Sequence, residues 1–186
     1  MHKSFIATSI FLLLITGYCV SAYSDDKPIE TYSATLTSLD SAKGPTRVTI
    51  RILSYTPDEE VAKLANLLKT KGQYEVNKEI WNVVRGHIAP VGGLGIDLNY
   101  IRAFNTDKGK MIRLVSSRQM SFLEMKINGR STDYPFSIVE LTFLDNGKIE
   151  GSIIGAAKVE LSQDNVLNVE SYGSDRLRLI NISKTK

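Results

Sequence analysis

Apolar and polar side chains alternate with a period of two through most of this chain, and a helical period interrupts them once, from Thr56 to about residue 84. That pattern constrains the fold more than any single motif. Alternation suits strands with one buried face, and a single helical interruption has to be housed beside the resulting sheet. Tyr32, Ala34 and Leu36 alternate with Thr31, Ser33, Thr35 and Thr37, and Val48, Ile50 and Ile52 alternate with Thr49, Arg51 and Leu53. Asp40 to Pro45 is a turn-rich break between these two strands.

At Thr56 the period changes. Thr56-Pro57-Asp58-Glu59 combines an N-cap threonine, a proline at the first helical position and a glutamate able to close a capping box. Val61, Leu64, Ala65 and Leu68 share one helical face, and Gly72, after Lys69 and Lys71, is a suitable stop. A second, shorter helix is expected over about residues 74–84, with Val76, Ile80, Val83 and Val84 as its apolar side and Trp81 as a packing anchor.

The remainder reads as an antiparallel meander with strands near 95–104, 110–127, 136–145, 148–161, 165–172 and 176–183. Asn105 to Gly109, Asp145-Asn146-Gly147, Gln163 to Asn165 and Gly173-Ser174-Asp175 supply turn chemistry between them. Gly151 and Gly155 within one long strand suit a bulge or sharp curvature. The fold class expected is α+β, mainly β: an antiparallel barrel-like or strongly curved sheet, with a two-helix insertion after the second strand.

The N-terminus sets the compartment. Met1-His2-Lys3 is a short positive start, Phe5 to Ile15 is mostly apolar, and Val20-Ser21-Ala22 is a small-residue cleavage signature. Residues 1–22 thus read as a signal peptide, and 23–186 as one β-rich domain exported to the periplasm or the medium. A membrane-spanning helix needs about 20 apolar residues, and this run is shorter and diluted by Gly17 and Ser21. Tyr18 before Cys19 also argues against a lipid anchor, and no transmembrane segment is expected after cleavage.

Cleavage removes the chain's one cysteine and leaves His87 as the one histidine. Disulfides, thiolate metal sites, cysteine nucleophiles and multi-histidine metal centres are then excluded within one mature chain, although a carboxylate site for calcium or magnesium stays open. With Lys3 gone, the formal charge of +3 falls to +2, a balanced surface without basic runs interleaved by aromatics. Nucleic acid is therefore not an expected partner. No cofactor and no metal ligand set is read from the sequence.

No catalytic motif stands out. His87, in Arg85 to Pro90, would need an orienting carboxylate and a nucleophile to act as a base, and no Gly-x-Ser-x-Gly elbow nominates a serine. Gly92-Gly93-Leu94-Gly95 precedes an alternating stretch rather than a helix, so a tight turn explains it better than a phosphate loop. Asp145 to Glu150 lacks the acidic series of a calcium loop and reads as a hairpin. Glu124, Glu140, Glu150 and Glu160 are outward strand positions whose separations a sequence does not give.

Asn128 to Pro135 is the most suggestive connection, because Arg130, Asp133 and Tyr134 crowd into it. Arg130 could clamp a carboxylate or phosphate while Asp133 and Tyr134 orient a polar ligand at a barrel mouth. Alternatively the loop cages itself, with Asp133 capping it or pairing with Arg130.

Leu67 to Gln73, Met120 to Glu124, Asn128 to Phe136, Ala156-Ala157-Lys158 and Glu170 to Gly173, taken together, resemble an uncharacterised family of small exported bacterial proteins, over about Tyr32 to Ile182. The resemblance implies export and a single domain and carries no activity, cofactor or site residue.

Three functions fit these readings. The first is an exported, non-catalytic binding module for a small amphipathic or apolar ligand or a peptide, its polar contacts coming from Arg130, Asp133 and Tyr134. The second is a cell-envelope protein-interaction domain, with a filled barrel and an exposed apolar surface. A hydrolase using carboxylates, Tyr134 or His87 ranks last.

Overall fold

The computed structural model describes residues 27–37, 44–120, 132–162, 164, 166–172 and 176–185. The expected signal peptide and Arg130 lie outside these residues, as does Glu124. Along the described chain run β1 (Glu30–Thr37), β2 (Thr46–Ile52), α1 (Asp58–Lys71), α2 (Gln73–Ile80), β3 (Gly86–Pro90), β4 (Ile96–Leu98), β5 (Tyr100–Thr106), β6 (Gly109–Ser116), β7 (Phe136–Phe143), β8 (Ile149–Leu161), β9 (Leu167–Ser171) and β10 (Leu177–Lys184). Mainly antiparallel β with two helices after the second strand is the class the alternation predicts.

The strands form one antiparallel sheet in the order β4-β3-β2-β1-β10-β8-β7-β6-β5, with β9 also paired to β8. Its two edge strands, β4 and β5, are consecutive in the chain and joined through Asn99 alone. The sheet therefore curls until its edges meet, giving a nearly closed barrel. Asn99 seals the seam: its N–H donates to the Val115 carbonyl at 2.7 Å, and its side-chain oxygen accepts from the Ser117 N–H at 2.7 Å. The Asn99 amide nitrogen also donates to the Val83 carbonyl at 2.7 Å, tying the end of the helical segment to the same place.

Thr56 closes the free edge of β5. Its N–H donates to the Ile101 carbonyl at 2.8 Å and its hydroxyl accepts from the Ile101 N–H at 3.0 Å. The expected capping box is thereby overturned. Pro57 is the N-cap residue and makes no side-chain cap, because the Thr56 hydroxyl is taken by the barrel seam.

Inward residues of every barrel strand build one core. Val48, Ile50, Ile88, Leu98, Ile101, Ile112, Leu114, Val139, Leu141 and Ile153 are fully buried and mutually packed. Gly151 is part of this close packing, since a Cβ there would meet the Ile182 side chain at 2.8 Å and Leu179 at 3.0 Å. Among the described residues the barrel interior is packed with side chains.

A second core lies on the outside of the sheet. Leu64 of α1 and Ile80 of α2 pack on Phe136, Ile138, Ile154, Ala157 and Val159. The run from Ile154 to Val159 should break the alternation, being five residues apart, yet both face the helices. Phe136 pairs with Ala157 and Ile138 with Ile154, a register shift that places an extra residue at Gly155–Ala156. This bulge reverses the parity of the strand. Beyond it β8 exchanges one neighbour for another: Gly151 to Ile153 pair with β10, whereas Ala157 to Leu161 pair with β9.

Two further expectations need correction. The strand β3 was not foreseen, since five residues bounded by Gly86 and Pro90 carry little periodic signal. Trp81 is 53 % exposed, and helix α2 ends at Ile80, so Trp81 is not a buried anchor of that helix.

Candidate functional site

Between the helices and the outer face of the sheet is an apolar cavity of about 240 Å³. Its roof comes from the helical face read in the sequence, Val61, Leu64, Ala65 and Leu68 of α1, joined by Val76 and Ile80 of α2. The floor follows from cross-strand register. Tyr100 pairs with Val115, Val115 with Ile138, and Ile138 with Ile154, so these residues form a row across four strands. Tyr100, Val115 and Ile138 of this row line the cavity, and Val159, Leu161 and Leu167 from the β8–β9 hairpin wall one side.

The next row is charged. Arg102 pairs with Arg113 and Arg113 with Glu140. Arg113 donates from Nε to Glu140 at 2.9 Å and its guanidinium is 5.2 Å from the Phe104 ring centroid. Arg102 is ion-paired with Asp58, and Arg85 with Glu60, so the start of α1 is held over this row by two salt bridges. The cavity thus has an apolar body and an ionic rim. Tyr100 stands between the two. Its hydroxyl has no hydrogen-bond partner among the described residues, and burial pushes its pKa up; Arg102 and Arg113 oppose this shift and Glu60 adds to it. It remains a phenol O–H donor on a residue that lines the cavity.

Polar clasps hold the helical cover at its other end. Gln73 is buried and bridges β8 and the turn before β7: its oxygen accepts from the Val159 N–H at 3.0 Å and its nitrogen donates to the Asp133 carbonyl at 2.9 Å. Its oxygen thus serves a backbone N–H of β8 beyond Ala157, the last residue paired with β7. Asn77 donates to the Ser117 carbonyl at 2.6 Å. The two helices are separated by Gly72 alone, whose φ of 82° is a left-handed conformation that favours glycine.

The loop residues nominated from sequence take part in this clasp. The Asp133 carboxylate accepts from the Tyr74 hydroxyl at 2.9 Å, and this bond raises the Tyr74 pKa. Tyr134 donates to Glu170, which raises the Tyr134 pKa, and packs edge-on against Tyr172 with centroids 5.1 Å apart. Asp133 and Tyr134 are therefore adjacent, yet neither is among the residues that wall the cavity. Arg130 is outside the described residues. Tyr100 was missed in the sequence because nothing in its local pattern separates an aromatic facing a cavity from one in a core.

The other candidates are accounted for individually. Glu140 is paired with Arg113, Glu150 with Lys148 at 2.9 Å and Glu160 with Lys158 at 2.6 Å. Among the described residues no group of three or more His, Cys, Asp or Glu side chains is placed to hold a metal ion, and no helix is long and apolar enough to cross a membrane. His87 does have a carboxylate beside it, Asp97, at 2.9 Å. Comparisons with protein-family models, with curated proteins and with solved structures find no match to this chain.

Proposed function

We propose that this protein is a non-catalytic binding module that takes a small, mainly apolar ligand between its helices and the outer face of its barrel. The observation that carries this reading is the cavity itself: its walls are apolar, and Tyr100 adds a hydroxyl with no hydrogen-bond partner among the described residues. A ligand oxygen would give this hydroxyl an acceptor. A space of 240 Å³ exceeds the roughly 150 Å³ known to admit benzene and is below the usual range for drug-sized ligands. The ligand class is thus a short hydrocarbon or single ring with one oxygen, its polar end toward Tyr100. The signal-like pattern of residues 1–22 supports a site of action in the periplasm or medium.

The test is native mass spectrometry of the whole protein, expressed with its N-terminal segment, followed by denaturing extraction. A stoichiometric small mass is expected, lost on filling the cavity with Leu64→Trp and weakened by Tyr100→Phe. A protein that carries no mass and takes up no 1-hexanol would overturn the reading. The filled barrel would then favour the protein-interaction alternative, with Val91 and Leu94, 66 % and 94 % exposed on one turn, as its starting point.

A further inference from the structure

A second site, apart from the residues that wall the apolar cavity, follows from three strands in register. Arg51 of β2 is paired with His87 of β3, and His87 with Asp97 of β4, so the three side chains stand in one row on the outer face. Asp97 accepts at 2.9 Å from the Nδ1 side of His87, and its other oxygen is 3.7 Å from Arg118. This fixes the ring and leaves Nε2 to the groove. The groove, about 320 Å³, is bounded by Thr49, Arg51, His87 and the Pro90–Gly93 turn.

The charge of this groove is uncompensated. The Arg51 guanidinium has no ion pair or side-chain hydrogen bond among the described residues, nor does that of Arg47, two positions beyond Thr49 on the same face of β2. Asp97, the acid of the row, is already shared by His87 and Arg118. Across β1 the paired residues are Thr31 opposite Arg51 and Ser33 opposite Thr49, hydroxyls rather than carboxylates. Thr49 is opposite Ala89, hence diagonal to His87, at about 7–8 Å. That is too far for His87 to activate its hydroxyl, and the arrangement suits binding rather than nucleophilic attack.

We infer that this groove binds a tetrahedral oxyanion, the phosphate or sulfate group of a small molecule. Arg51 supplies the planar fork, the Thr49 hydroxyl a third donor, and His87 Nε2 the fourth contact. The bond from Nδ1 to Asp97 leaves Nε2 as the ring's contact to the oxyanion. A metal ion is disfavoured by the guanidinium and by the single imidazole. This site is independent of the apolar cavity and stands or falls without it.

Imidazole NMR of the whole chain tests it. In a His2→Ala background His87 gives the one histidine ring signal. Inorganic phosphate, titrated at constant ionic strength, is expected to shift the ring resonances saturably, with acetate binding about fivefold or more weakly. Arg51→Ala should weaken phosphate about tenfold, and Arg51→Lys by less, because the point charge survives without the fork. Arg178→Ala, an exposed arginine on β10 outside the groove, should change nothing. Ring signals that do not saturate, that respond equally to acetate, or that keep their affinity in Arg51→Ala would overturn the inference.

Discussion

The barrel interior and the space under the helices are built from the same residue types and end up in different states. Inside, Val48, Ile50, Ile112, Leu114 and Leu141 from strands that converge on one axis are fully buried, and the curvature of the sheet leaves nothing between them. Outside, two rigid helices lie across a twisted row of strand residues, and straight cylinders do not follow a curved surface. The mismatch is the cavity. Closed strands pack themselves full; a helical cover resting on polar clasps leaves a gap whose size its side chains set.

Truncation should show the largest difference. Ile50→Ala removes a fully buried side chain from the closed interior and is expected to cost about 2–5 kcal/mol in urea unfolding. Leu64→Ala, against the cavity that already exists, should cost visibly less. Equal losses would mean the two regions are equally packed, and would break the comparison. Next comes Gln73→Ala. It leaves the Val159 N–H and the Asp133 carbonyl without their side-chain partner, a loss of about 1–3 kcal/mol. Hydrogen exchange should then rise at α2 and not at β6. Uniform loss of protection would show that the cover and barrel open as one unit.

The end of the barrel has its own signature. The Glu30 carboxylate accepts from Tyr32, from Tyr55 at 2.9 Å and from Lys184 at 3.2 Å. Burial pushes its pKa up, but these hydrogen bonds outweigh burial and hold it below the usual value. The folded state thus binds this proton less firmly than the unfolded chain. The stabilisation is present above the ordinary carboxylate pKa and is lost as pH falls through the folded-state value. Glu30→Gln should therefore cost about 1–2 kcal/mol at pH 7 and progressively less below about pH 4. A gap that does not depend on pH would contradict the role given to the carboxylate. The smallest effect is expected from Val76→Leu, which adds one methylene into open space and should change stability by no more than about 0.5 kcal/mol, whereas added methylenes in a packed core cost about 1–3 kcal/mol.

Much of the barrel was legible because alternation is local. Tyr32-Ala34-Leu36, Val48-Ile50-Ile52 and the Asn146-Gly147 turn each specify their own geometry, and the helical face of α1 was read in full. What was not legible depends on partners far along the chain. Thr56 and Glu59 satisfy a capping pattern, but the hydroxyl of Thr56 is claimed by Ile101, 45 residues away. Gly155 marked the bulge in β8, but its reversal of strand parity is defined only by the pairing with β7. No sequence window names a carboxylate for His87, because Arg51 and Asp97 reach it through register, on strands either side. The apolar cavity depends on where the helices dock, a surface that no window of sequence describes.

The most direct measurement is methyl NMR of the whole protein during titration with 1-hexanol. Resonances of Leu64, Val76, Val115 and Ile138 should shift saturably, while those of Val48, Ile50, Leu114 and Leu141 stay in place. Shifts in the interior set, or none in the cavity set, would contradict the account of a filled barrel with its binding space outside.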